Sequence, residues 1–391
     1  MKKLIALLLA VAMVACLFVG CAGDKEEPTE TTTEPTETTT EPTTVPEPDP
    51  TPAPDPAPAP APMMNIALVT DVGNIDDKSF NQGAWEGVVA YAEANGVPYA
   101  YYRPSEDSDV ARIESIDTAI ANGANVVVCP GYLFETSVFE VQSTYPEVKF
   151  LLLDGEPHTA DYATYETKTN TMNILYREEQ AGYMAGYAAV KDGYRHLGFI
   201  GGIEVPAVVR FGFGFVQGVN AAAVELGVEG EVDVKYWYSG LFVPDDSIKT
   251  RAAGWYTAGT EVIFACGGGI YVSICAAAVE SGKVVIGVDK DQSFESETII
   301  TSAMKNLTAS VELALTEMAA NNGEWAHGGE TIILGAAENC VGLPTAEASW
   351  RLQNYTVAEY EALFAAIADG TIAVSNSQEK PEVAIAVDYA A

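Results

Sequence analysis

The sequence predicts an α/β protein of two lobes, each built on a doubly wound parallel sheet with helices on both faces. From Ile66 onward, short and nearly unbroken apolar runs alternate with stretches of helical period, as strands buried on both sides do. The alternation occurs twice in tandem, from 66 to 153 and again from 197 to 288. The strand runs end in polar or Gly-rich residues, at Asp71, at Cys129-Pro130-Gly131 and at Leu153-Asp154-Gly155. Carboxyl ends of strands are where open parallel sheets bind ligands, so these ends should face one crevice.

The run Ile66 to Val69 passes through Thr70 and Asp71 into a carboxylate-dense turn with Gly73, then restarts at Ser79 as a helix. A helix beginning there points N–H groups at the crevice, which makes Asp71, Ser79, Phe80 and Asn81 the first candidates for a binding site. The pattern predicts helix 79–95, strand 99–102, helix 107–122, strand 125–129, helix 133–144 and strand 149–153. The stretch HTADYATYETKTNT, from His158, is polar and lacks helical period; it reads as the connection leaving the first lobe. The second series predicts helix 178–191, strand 197–200, helix 208–225, strand 232–238, helix 247–258, strand 262–265, helix 270–281 and strand 284–288. Ile300 to Asn306 reads as a strand feeding a helix, and late helices are expected around 346–352 and 357–368.

At the start, Lys2 and Lys3 precede an apolar run from Leu4 to Val19, then Gly20 and Cys21. The run is short of the ~20 residues that a bilayer span needs, so residues 1–20 read as a signal peptide. LFVGC resembles a bacterial lipobox, with Cys21 the lipidated residue and MVAC, ending at Cys16, a competing site. Residues 21–62 are near repeats of Thr, Glu, Pro and Ala with no apolar period, a composition expected to stay extended and to reach on the order of 100 Å as a tether.

The formal charge is -35, which disfavours nucleic acid as a partner because phosphate contacts need surplus Lys and Arg. Roughly 315 residues remain between Met63 and Asn376, comfortable for two lobes. Cys129, Cys266, Cys275 and Cys340 have no CxxC spacing and read as buried free thiols. His158, His196 and His327 are widely separated, so a transition-metal site is not expected.

FGFGFVQG, with Gly212, Gly214 and Gly218, nearly spells a dinucleotide fingerprint, but its third glycine comes one residue late and the run lies in a helical stretch. Gly267, Gly268 and Gly269 follow a strand and precede a helix, which suits either close ligand approach or a tight turn. Asp76 and Asp77 read as a solvated loop. Phe80 and Phe242 belong either to the core or to the crevice. Asp154, Asp289 and Lys305 sit at strand ends, where charge is costly unless paired; an Asp289–Lys305 ion pair and a site for ligand hydroxyls are both compatible with them.

Five segments in this order, DVGNIDDKSFNQGAWEG (71–87), GGIEVPAVVRFGFGFVQG (201–218), VIFACGGG (262–269), VIGVDKDQ (285–292) and TSAMKN (301–306), together resemble the basic membrane protein family of lipoproteins, the purine nucleoside receptors of ABC transporters. The resemblance spans nearly all of 65–375 and implies a type I periplasmic-binding-protein fold, two Rossmann-like lobes joined by three crossovers. It implies that Phe80 and Phe242 hold the base, that Asp154, Asp71, Ser79 and Asn81 read its edge, and that Asp289 and Lys305 take the ribose hydroxyls, with backbone approach at Gly267 or Gly268. It further implies a monomeric receptor on the extracytoplasmic face, anchored to the membrane by lipid alone, without cofactor or chemistry of its own. The receptor would deliver guanosine, inosine or adenosine to an ABC permease. The lobes would then comprise 63–173 with about 290–330, and 174–289 with about 331–376, leaving 377–391 as a tail. Stacking on a purine adds ~0.5–1.5 kcal/mol per aromatic pair, whereas phosphate would meet Asp71, Asp154 and Asp289 head on. Competing readings are a receptor for a sugar or signalling molecule on the same scaffold, and an oxidoreductase or nucleoside hydrolase.

Overall fold

The structure, a computed structural model, describes residues 64–389; the expectations for the signal peptide, the tether and Cys21 lie outside the described residues. The first half-chain runs β1 (Ile66–Val69), α1 (Phe80–Asn95), β2 (Tyr99–Tyr102), α2 (Asp109–Ala121), β3 (Val126–Pro130), α3 (Glu135–Thr144), β4 (Lys149–Leu153) and β5 (Thr171–Tyr176). The second runs α4 (Glu178–Asp192), β6 (His196–Gly201), α5 (Pro206–Leu226), β7 (Asp233–Tyr238), α6 (Asp246–Thr257), β8 (Val262–Cys266), α7 (Tyr271–Ser281), β9 (Val284–Asp289) and β10 (Ile299–Lys305). Then come α8 (Leu307–Ala320), β11 (Thr331–Leu334), β12 (Val341–Gly342), α9 (Val357–Ala368) and β13 (Ala386–Asp388).

These strands form two sheets, ordered β11-β5-β4-β3-β1-β2 and β12-β10-β9-β8-β6-β7-β13. All neighbours are parallel except β12, which runs antiparallel to β10. The sheets repeat one plan, β1 to β5 of the first matching β6 to β10 of the second. Alternation explains the unbroken apolar runs. In the first sheet Ala67, Val69, Val127, Cys129, Phe150 and Leu152 pack toward Ile116 of α2 and Val138 of α3. Ile66, Leu68, Val126, Val128, Leu151 and Leu153 pack toward Ala84 and Val88 of α1. Both faces of β1, β3 and β4 are dry, which makes an unpartnered polar side chain in these strands costly.

The chain passes between the sheets three times: after β5, at Asn306 between β10 and α8, and between β11 and β12. The expectation that about 290–330 belongs to the first lobe is corrected at β10, which pairs with β9 in the second sheet. Only α8 crosses back, where Thr308 donates to the Gly83 carbonyl at 3.0 Å. β11 joins the first sheet beside β5, and β13, expected as tail, pairs with β7. The polar connection before Asn173 runs into β5, and residues 346–352 form a turn rather than a helix. β5, β11, β12 and β13 escape sequence reading because three are short edge or bridging pieces and β5 begins with polar Thr171 and Asn173. Asn173 Nδ2 donates to Thr167 at 2.8 Å and Thr331 at 3.1 Å, while Thr171 Oγ1 and Asn173 Oδ1 are buried without a hydrogen-bond partner among the described residues. Cys129, Cys266, Cys275 and Cys340 are free and buried.

Gly214 and Gly218 of FGFGFVQG serve helix packing, while Gly212 makes room for Tyr236 of β7 and Phe199 of β6. A Cβ on Gly214 would stand 2.1 Å from the Glu179 carbonyl oxygen and one on Gly218 would stand 2.0 Å from that of Tyr183. On the facing helix, Gly182 and Gly186 are pressed in the same way against the Phe211 and Phe215 carbonyls, at 2.1 and 2.3 Å. α4 and α5 therefore meet backbone to backbone. By length and composition α5 could cross a bilayer, yet it is mostly buried inside this fold.

Candidate functional site

Between the two sheets, at the carboxyl ends of their strands, lies a cleft of about 680 Å³, counting the space that opens to solvent. Asp71, Phe80, Asn81 and Asp154 line it from the first lobe; Phe242, Gly267, Gly268, Asp289 and Lys305 line it from the second. Of the residues singled out in the sequence, Ser79 alone stands outside the lining. It is fully buried, and its hydroxyl donates to Asp289 Oδ2 at 2.5 Å, so it positions a carboxylate.

The β1–α1 loop is held by its own acids. Asp77, read from sequence as solvated, accepts the backbone N–H groups of Ser79 at 2.9 Å, Asn81 at 3.0 Å and Gln82 at 3.1 Å. The helix start is thereby capped, which corrects the expectation of free N–H groups there. Asp71 Oδ1 accepts from the Gly73 N–H at 2.6 Å and from Asn81 Nδ2 at 2.8 Å. A Cβ on Gly73 would lie 2.4 Å from that Asn81 nitrogen, so a side chain here would push the amide off Asp71. Part of the Asp71 surface reaches the cleft, yet burial pushes its carboxyl up to about 6 against the pull of the Gly73 and Asn81 hydrogen bonds.

On the far wall Phe242 rests on glycine. A Cβ would come within 2.4 Å of its ring at Gly202 and 3.2 Å at Gly267, and within 2.7 Å of its carbonyl oxygen at Gly268. Its carbonyl accepts the Gly269 N–H at 2.7 Å. The glycines therefore form the tight turn weighed from sequence, and they also let the Phe242 side chain lie against backbone at the cleft.

Lys305 ends β10 and is buried among opposite charges. Its ammonium meets Asp154 Oδ2 at 2.5 Å and Glu178 Oε1 at 2.9 Å, and lies 4.9 Å from the ring centroids of Phe80 and Tyr176. Glu178 in turn meets Arg210 Nε at 2.6 Å. The Asp289–Lys305 ion pair considered from sequence is replaced by these contacts, because Ser79 holds Asp289 while Lys305 turns to Asp154. Burial alone would lower the Lys305 pKa, but Asp154, Glu178 and Asp289 raise it above the ordinary lysine value. Burial pushes Asp154 up to about 7 against the pull of Lys305 and raises Asp289 as well, opposed by Lys305 and Ser79. Burial also acts upward on Glu178, but Arg210 and Lys305 together bring it below the usual glutamate value. Asp154 Oδ1 is buried and has no hydrogen-bond partner among the described residues.

Sequence reading missed Glu178, Arg210, Tyr132 and Phe211. Glu178 opens a helix, where acids are common at the surface; nothing local shows that it is buried. Arg210 did carry a signal, a single cation inside the apolar helix run VVRFGFGF, which requires a buried counter-charge. Tyr132 and Phe211 line the cleft but look like ordinary core aromatics in sequence.

Two lobes face each other across a cleft at their strand ends and are joined by three passes of the chain, an architecture suited to holding a small molecule between lobes. The chain belongs to the family described as ABC transporter substrate-binding protein PnrA-like, whose profile matches residues 64–378. Among its relatives, a CD4+ T-cell-stimulating antigen of Listeria monocytogenes is 28% identical over 81% of this chain and 88% of its own. Basic membrane protein B of Borreliella burgdorferi is 29% identical over 72% and 81%. An ABC transporter nucleoside-binding protein of Lactococcus lactis is 28% identical over 59% and 65%. A solute-binding protein of an ABC transporter system from Aeropyrum pernix shares the fold, with a TM-score of 0.67 at 23% identity over 81% of this chain and 94% of its own.

Proposed function

We propose that this receptor captures purine nucleosides, guanosine, inosine or adenosine, between its lobes and hands them to an ABC permease. It does so at the extracytoplasmic face of the membrane, as a monomer anchored through lipid on Cys21. The observation that carries the reading is that Phe80 and Phe242, from opposite lobes, line one cleft whose polar lining is dominated by carboxylates. A purine offers two flat faces to such rings and N–H groups to acids. In this reading Asp71 and Asn81 meet the base edge together with Asp154, whose Oδ1 is unpartnered. Asp289 takes ribose hydroxyls beside Lys305, and Gly267 and Gly268 admit the ligand to the backbone. The nucleoside-binding relative from Lactococcus lactis supports the same ligand class.

The charge of the lining sets the selectivity. Asp71, Asp154 and Asp289 face Lys305, whose ammonium is already bound to Asp154 and Glu178, so a phosphate finds repulsion. A thermal-shift panel of nucleosides, free bases, nucleotides and sugars tests this, because a ligand at 100 times its dissociation constant adds ~2.7 kcal/mol to the folded state. Purine nucleosides are expected to shift the melt and nucleotides to leave it in place. A shift with sugars alone would replace the reading by that of a sugar receptor. Mass spectrometry of the membrane-extracted chain checks lipid on Cys21.

A further inference from the structure

The loop from Asp289 to Glu295, between β9 and β10, belongs to the second lobe, and the stretch from Lys78 to Glu86, at the start of α1, belongs to the first. Several contacts join them. Beside Ser79–Asp289, the Gln292 side-chain amide donates to the Lys78 carbonyl at 2.9 Å. Lys290 Nζ meets Glu86 Oε2 at 2.5 Å, and Lys78 Nζ stands 3.9 Å from Glu295.

Gln292 is the most constrained member. It is fully buried, its Oε1 accepts the Val288 N–H at 3.1 Å, and its own N–H donates to Ser302 Oγ at 3.1 Å. β9 makes room for it with Gly287, where a Cβ would fall 2.6 Å from Gln292 Oε1. The carbonyl it grips belongs to Lys78, a non-glycine residue with φ 57, a left-handed conformation that the surroundings must hold in place. Lys78 precedes Ser79 and Phe80, so the grip fixes the ring and the hydroxyl at the cleft wall. Glu86, which also accepts from Gln82 Nε2 at 2.8 Å, extends the contact to the second turn of α1.

We propose that the Asp289–Glu295 loop is the clasp that holds the lobes closed on the ligand, with Gln292 and Lys290 as positioning residues that set Phe80 and Ser79 against Asp289. Binding proteins of this architecture work by hinge closure, and a clasp that favours the closed form, with ligand or without, slows ligand escape. The proposal rests on the reading that the ligand lies between Phe80 and Asp289.

The test uses the full chain with Gln292→Met, Lys290→Met, Glu86→Ala and the Lys290→Met/Glu86→Ala double variant. It measures inosine association and dissociation by stopped flow, and ligand-free hydrogen exchange in peptides covering 78–86 and 289–295. Dissociation is expected to quicken at least threefold in Gln292→Met and roughly two- to fivefold in each ion-pair variant, the range for a partly exposed pair. Association should not slow, and the double variant should be no faster in dissociation than the faster single one. Exchange in both peptides should quicken without ligand. Unchanged exchange in all variants, or ion-pair effects that simply add, overturns the clasp. Should Gln292→Met fail to fold, the ion-pair cycle decides. If inosine does not bind the parent chain, the nucleoside reading falls, while the exchange measurements still decide the clasp.

Discussion

Asp154 and Asp289 occupy equivalent places in the two lobes, each at the end of the fourth strand of its half-chain and each left-handed, with φ 60 and φ 62. Non-glycine residues rarely adopt this conformation, and Asp and Asn tolerate it best. The repeated architecture thus aims two carboxylates into one cleft from opposite sides, and uses backbone strain at both strand ends to do so. Lys305 bonds one of them directly and, through space, opposes the rise that burial imposes on the pKa of the other.

Because asparagine also accepts the left-handed conformation, Asp289→Asn is expected to melt close to the parent without ligand. Nucleoside affinity should fall roughly 10- to 100-fold, the value of a hydrogen bond to a charged group. Calorimetric titration of inosine checks it, with Phe80→Ala as a second variant that loses the nucleoside shift through the ring rather than the charge.

Lys305→Met should cost stability even without ligand. It strips Asp154 and Glu178 of a buried counter-charge at 2.5 and 2.9 Å, and breaking such a pair from one side costs about 3–5 kcal/mol. Urea denaturation at pH 7 measures the loss, which should shrink at pH 5, where Asp154, pushed up to about 7, carries a proton.

Glu179 has two buried carboxylate oxygens without hydrogen-bond partners among the described residues, with the Arg177 guanidinium at 3.8 Å as the nearest opposite charge. Burial first, and then the neighbouring Glu178 charge, push it up to about 7 from an ordinary 4.5. The folded chain keeps a proton that the unfolded chain releases between those values, so this group's contribution falls as pH rises from 4.5 to about 7 and is constant above. Glu179→Gln should match the parent at pH 4 and exceed it by about 1–3 kcal/mol at pH 8. Melting curves at both pH values check the sign.

Gly214→Ala places a methyl group where the Glu179 carbonyl oxygen stands 2.1 Å away. The clash is with backbone, which cannot swing aside, so α4 and α5 must separate, at a cost of about 1–3 kcal/mol or more. Gly254→Ala, at a helical glycine where a Cβ meets open space, is the control and should be neutral or slightly stabilising. Chemical denaturation of the two variants makes the comparison.

Much of this protein was legible in its sequence because the relevant physics is local. The apolar runs of β1, β3, β4, β8 and β9 are short and unbroken because both faces of each strand are dry, and their polar ends mark the cleft. Sequence motifs also pointed to Asp71, Phe80, Asp154, Asp289 and Lys305. Other features depended on groups distant in the chain and only tertiary structure could decide them. β10 returns to the second sheet because its hydrogen bonds go to β9; Asp77 is a helix cap because the loop folds back on it. Ser79 lies behind the cleft because Asp289, 210 residues away in sequence, takes its hydroxyl. The partner of Lys305 was likewise undecidable from spacing, since a buried ammonium takes whichever carboxylates the packing of two lobes brings within reach. The reason is physical: pattern reports which side of an element is dry, whereas charge pairing depends on distances that only the assembled fold sets.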